Sequence, residues 1–158
     1  MITALIVAAL SQAAPTAPTT LAALDVLAED AEYRFEVTES DANGTNRKIR
    51  VYSSRGCTPS TSLELSAPGF PLGLFRISER LDLIAVTWGG ATRTVVQVYS
   101  VADCRVSKVF DRYVLSVSYV GTDRHGRPTI RATDKFGAQT PEIEKLWRWN
   151  GKSFSEIR

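Results

Sequence analysis

Leu81 to Ala102 reads LDLIAVTWGGATRTVVQVYSVA, and the reading of this stretch decides the fold class. Only Asp82 and Arg93 are charged, and Gly89 and Gly90 sit together at the centre. Glycine tolerates the φ > 0 that both central residues of a type I′ turn require. With these two as the loop, pairing runs outward from Trp88 and Ala91. Thr87 then faces Thr92, Ile84 faces Val95, Leu83 faces Val96 and Asp82 faces Gln97, with no like charges opposed. Both faces of this hairpin are largely apolar, which predicts the central pair of a sheet covered on each side.

Outward from the hairpin the period of two continues. Upstream, Tyr33, Phe35 and Val37 alternate with Arg34, Glu36 and Thr38, a strand with one wet face. SDANGTN is turn chemistry, and Lys48 to Ser53 alternates again through Ile49 and Val51. Leu63 and Leu65 make a short strand before APGFPLG interrupts with two prolines, and Leu74 to Ile77 is another. Downstream, Val106 to Phe110, Tyr113 to Val120 and Thr129 to Thr133 read as strands. The second of these places Leu115, Val117 and Tyr119 on one face.

The chain closes on LWRWNGKSF, where Asn150-Gly151 is a strong hairpin signal. A two-residue turn there sets Trp149 opposite Lys152, Trp147 opposite Phe154 and Lys145 opposite Glu156. About ten short strands result, spaced as in an all-β fold: an antiparallel meander forming a sandwich or a partial propeller or barrel. One short helix precedes them. Thr19 or Thr20 caps LAALDVLAEDA, in which Leu21, Leu24 and Leu27 recur near one helical face.

The 158 residues suit one domain with its own core. Asp25 is the first charged residue, and Ile2 to Leu10 is an apolar run followed by SQAAPTAPTT. That order matches the apolar core and small-residue cleavage zone of a secretory signal peptide, with cleavage after Ala13 or Ala14. The run lacks a preceding Lys or Arg, and a buried N-terminal helix is the other reading of it. Residues 1–14 are thus read as a leader, 15–20 as a Pro/Thr-rich lead-in and 21–158 as a single all-β domain. Export to the periplasm or outside the cell makes a bridge between Cys57 and Cys104 the natural expectation, since both fall in loop-like segments. Closing a loop of that length stabilises a fold by about 4 kcal/mol in the chain-entropy account.

A net charge of +2, with 23% charged residues, gives no concentrated basic face for nucleic acid. His125 is the single histidine and sits in a turn between Arg124 and Gly126, without the signs of a buried orienting partner that catalysis requires. No nucleophile elbow, zincin, phosphate-loop, dinucleotide or CxxC motif occurs. Asp41, Asn43 and Asn46 echo a calcium loop only loosely, and Asn43-Gly44-Thr45 is a glycosylation sequon. Asp82, Asp111, Asp123 and Asp134 are candidates for a paired-carboxylate hydrolase, and nothing in one chain pairs any two. No cofactor or metal site is expected. Trp147 and Trp149, with Arg148 between them, are the candidates for an exposed ligand or partner surface.

TDRHGRPTIRATD followed by EKLWRWNGKSF resembles the turn-plus-strand and W-x-W-N-G-K-x-F hairpin of FG-GAP/VCBS-like β-propeller repeats in secreted proteins. The resemblance is confined to the C-terminal part and implies blade-like sheets. Only Asp123 matches the family's acidic calcium turn. The strand count makes two or three blades, so a complete ring of four or more would need self-association. Together these features point to an exported, non-catalytic protein that binds an envelope protein or glycan. The alternatives are an inhibitor or immunity protein inserting a loop such as GTDRHGRP or SAPGFPLG into a secreted enzyme, and a carboxylate-dependent hydrolase.

Overall fold

The computed structural model describes residues 19–28, 31–39, 47–57, 62–78, 82–90, 94–134 and 141–157. The expected leader and the DANGTN turn with its sequon lie outside them. The described residues form three antiparallel four-stranded meanders. The first sheet contains β1 (Thr19–Leu27), β2 (Glu32–Glu39), β3 (Arg47–Arg55) and β4 (Ser62–Leu65). The central sheet contains β5 (Phe70–Ser78), β6 (Leu83–Gly89), β7 (Thr94–Ala102) and β8 (Arg105–Val114). The third contains β9 (Ser116–Thr122), β10 (Pro128–Asp134), β11 (Ile143–Trp149) and β12 (Phe154–Ile157). Every sheet has two edge strands, and no closed barrel or propeller ring is formed by the described residues.

The expected N-terminal helix is a strand instead. β1 pairs with β2, with Asp25 opposite Arg34 and Leu24 opposite Phe35. The leucine spacing misleads because Leu21 and Leu27 are exposed, while Val26 and Ala28 are buried at a spacing of two. Pairing with the open edge of β2 outweighs a weak local helix preference.

Alternation divides the β6–β7 hairpin between two cores. Ile84, Val86, Trp88, Val95, Tyr99 and Val101 pack against Tyr33, Phe35, Ile49 and Val51 of the first sheet. Leu83, Ala85 and Val98 pack with Phe110 against Ile130, Trp149 and Phe154 of the third. The central pair is therefore covered on each side, as its two apolar faces predict.

Its register differs from the expected one. Gly89 is the last residue of β6 and lies opposite Thr94, so Trp88 meets Val95 and Ile84 meets Tyr99. Neither Gly89 nor Gly90 is among the positive-φ glycines of the described residues. Gly89 has a different constraint, because a Cβ there would meet the Phe70 ring at 3.1 Å and Leu72 at 3.2 Å.

The tightest turn in this sheet links β7 to β8. Ala102 pairs with Arg105, leaving Asp103 and Cys104 as a two-residue loop at φ 50° and 56°. Cys104 is bonded to Cys57 just past β3, with Cα atoms 5.5 Å apart. The bridge thus ties the first sheet to the central one.

β8 and β9 are separated only by Leu115, whose N–H donates to the Thr133 carbonyl at 2.8 Å. The expected single strand from Tyr113 to Val120 is broken there, because the chain leaves one sheet for the next at that point. Val114 packs against Ala132 of β10, while Phe110 reaches Trp147 of β11 and Phe154 of β12. β8 therefore crosses the face of the third sheet, a corner made by a strand that switches sheets. Val109 is an extra residue in β8, between the pairs Val98–Phe110 and Tyr99–Lys108, and such a bulge bends its strand.

Candidate functional site

Crossing the third sheet at an angle leaves open space beside β8. Two adjoining clefts of about 330 and 300 Å³ share Arg112. Between them they take in every residue of β8 from Lys108 to Val114. The facing wall comes from Ser153 before β12, Phe154 and Glu156 of β12, Lys145 and Trp147 of β11, and Ala132 and Asp134 of β10.

Phe110, Arg112 and Val114 alternate onto the side of β8 that faces the third sheet. Phe110 meets the rings of Trp147 and Phe154 edge-on, with centroids at 5.4 and 5.8 Å. The Arg112 guanidinium lies over Trp147, 5.0 Å from the ring centroid, and 5.7 Å from that of Phe110. It also donates to the Asp111 carbonyl at 2.7 Å. A cation held over aromatic faces gains electrostatic attraction and loses little further freedom when it meets a ligand.

The other cations of the groove have carboxylate partners. Lys108 is paired with Asp111, and Lys145 with Glu156 at 3.0 Å. Among the described residues Arg112 has no carboxylate partner. Behind β8, Asp111 Oδ2 also accepts from Gln97 Nε2 at 3.2 Å, which connects the groove to a buried polar network.

Of the three residues singled out in the closing hairpin, the structure brings only Trp147 to the groove. Trp149 is buried in the core against Phe154. Arg148 projects to the opposite face of the sheet, where its Nε lies 3.7 Å from Asp123 Oδ2. The hairpin turn is also longer than expected: Trp149 pairs with Phe154 and Trp147 with Glu156. Asn150 Oδ1 accepts from the N–H groups of Lys152 and Ser153 at 2.9 Å, and this closes the wider loop. The Lys145–Glu156 contact survives the change as a diagonal pair.

The candidate acids fall into separate settings. Asp123 braces the turn that contains His125. Its Oδ1 accepts from the N–H groups of His125 at 2.9 Å and Arg127 at 3.0 Å, and its Oδ2 accepts from Arg127 Nε at 2.9 Å. These bonds, led by the Arg127 side chain, hold the carboxyl well below the usual range, so it acts as a fixed acceptor. His125 itself is exposed, with Arg124 Nε donating to its Nε2 at 3.2 Å. Asp134 lines the groove, and Asp82 precedes β6. Among the described residues no three His, Cys, Asp or Glu side chains converge as metal ligands.

Sequence reasoning missed Arg112 and Glu156 as site residues. The partners meet across two sheets, and no local pattern around Arg112 signals the contact with Trp147. Comparison of the chain with family models, curated proteins and solved structures finds no match.

Proposed function

We propose that the chain is an exported, non-catalytic binding protein that engages an envelope protein or glycan through the groove along β8. The observation that carries this reading is Arg112, a cation without a carboxylate partner among the described residues, stacked on Trp147 between two open clefts. A guanidinium fixed over a half-buried tryptophan, at the mouth of two clefts, is the chemistry of a recognition hot spot. Tyr113 supplies exposed aromatic surface at the same groove. The Cys57–Cys104 bridge suits an oxidising compartment, and among the described residues no helix is long and apolar enough to cross a membrane. Asp111 and Asp123 are each engaged by cationic side chains, which favours binding over carboxylate catalysis.

The test is capture from an envelope fraction under non-reducing conditions with four immobilised baits. Wild type and Arg148→Ala should retain the same partner, whereas Arg112→Gln and Trp147→Ala should lose it. Equal capture by all four would remove the groove from the function.

A second reading, an inhibitor of a secreted enzyme, has one observation in its favour. The Asp123-braced turn presents Arg124 and His125 on a rigid loop, as an inserting loop requires. Its test is the Arg124→Ala/His125→Ala double variant, which should abolish inhibition of the captured enzyme and leave the fold intact.

A further inference from the structure

We infer that the groove takes an extended polypeptide segment, paired along the edge of β8 that the described residues leave open, with an acidic side chain set against Arg112. This rests on the reading of the groove as the binding site, and it chooses protein over glycan.

The shape of the wall is the first support. Successive side chains of a strand point to opposite faces. A wall built from seven residues in succession, Lys108 to Val114, is therefore the strand's edge. Among the described residues β8 pairs with β7 on one side and ends the central sheet on the other. An edge offers a row of outward N–H and C=O groups, and another extended backbone is what pairs with such a row. The bulge at Val109 bounds the regular stretch at one end and the corner at Leu115 bounds it at the other. Phe110 to Val114 remain, a length of about 16 Å that matches a strand of five residues.

Charge selects the occupant. Lys108 is paired with Asp111 and Lys145 with Glu156, and Asp134 on the same wall has an interaction of its own, so Arg112 is the cation of the groove that has no carboxylate partner among the described residues. A planar guanidinium meets a carboxylate through two parallel N–H···O bonds, so Asp or Glu in the incoming strand completes the site. Trp147 offers little to a stacking sugar, because Arg112 covers its ring and Phe110 packs against it.

The experiment pans a random dodecapeptide phage library on the oxidised chain, then measures the recovered consensus as a synthetic peptide. The expected consensus carries one Asp or Glu in a β-prone run. Its affinity should fall about tenfold for Arg112→Gln and be unchanged for Arg148→Gln. Arg112→Lys keeps the charge but not the fork, and should fall between them. N-methylation at alternate peptide positions should abolish binding, and at the intervening positions should not. No recovered peptide, equal binding to Arg112→Gln, or tolerance of N-methylation everywhere would each overturn the inference. Polygalacturonate serves as the glycan arm. Arg112-dependent binding of it without any peptide binding would sink strand pairing and leave the groove as a binding site. Failure of both probes, together with equal envelope capture by all baits, would remove both readings. Unchanged thermal midpoints across the variants exclude misfolding as the cause.

Discussion

The indole N–H of Trp88 donates to the side-chain oxygen of Gln97 at 3.0 Å, across the two strands of the central hairpin. The same oxygen accepts from the Tyr99 hydroxyl at 2.8 Å. The Gln97 amide nitrogen donates to the Ser66 carbonyl at 3.4 Å and to Asp111 at 3.2 Å. All four positions of this amide are used, at a residue only 2% exposed. A buried polar network is costly unless complete, and this one is complete.

Gln97→Leu should therefore destabilise the fold despite its similar size. It strands the Trp88 N–H and the Tyr99 hydroxyl, at a cost of about 2–4 kcal/mol. Urea unfolding monitored by tryptophan fluorescence measures this. Tyr99→Phe removes a single donor and should cost about 1 kcal/mol.

Burial, with the nearby Asp111 charge adding to it, pushes the Tyr99 hydroxyl up to about 12 from its ordinary value near 10. The folded state keeps this proton where the unfolded state releases it. The associated stability is present in full below pH 10 and is lost as pH rises through 12. Absorbance titration near 295 nm should show one tyrosinate step near pH 12 that Tyr99→Phe lacks. A titration identical in the two proteins would refute the assignment.

The φ of 56° at Cys104 separates two contributions of that residue. Losing the bridge should cost about 2–4 kcal/mol, read from urea unfolding with and without reductant. In a Cys57→Ser background, Cys104→Gly should be more stable than Cys104→Ser by about 1 kcal/mol, because glycine occupies this conformation without the Cβ penalty.

Gly69, at φ 104°, passes so close to β6 that an added Cβ would overlap the Gly89 carbonyl oxygen. Gly69→Ala should cost more than about 2 kcal/mol, through strain and displacement of the β5–β6 pairing. Gly126→Ala, at φ 74° with no atom near its added Cβ, carries the strain alone and should cost less. Thermal unfolding of the two variants compares them directly.

Side-chain alternation made most of this fold legible. The β6–β7 pairing differs from the two-glycine expectation by four residues, and the β11–β12 pairing by two. An even shift changes partners but returns every side chain to the same face, so the predicted two-sided hairpin holds in a different register. Loop length is harder to read, because Asn150 closes its wider turn with its own side chain. β1 was hidden by leucines that suit a helix as well as a strand. The corner at Leu115 falls inside YVLSV, which contains no Gly, Pro, Asn or Asp to mark it. The groove was the least legible part. Trp147 stands out by type, whereas Arg112 matters only because β8 crosses a sheet made later in the chain.

The order of the three sheets also bears on how the protein is made. Each meander is local in sequence, so each can pair soon after its strands emerge. The central sheet gains its first cover at once, from residues already synthesised. Its other face, with Leu83, Ala85, Val98 and Phe110, stays uncovered until Ile130, Trp149 and Phe154 arrive. A nascent or truncated chain that ends before β11 therefore presents an apolar sheet face to its surroundings, and this last-covered face is where a chaperone would bind and where aggregation would begin.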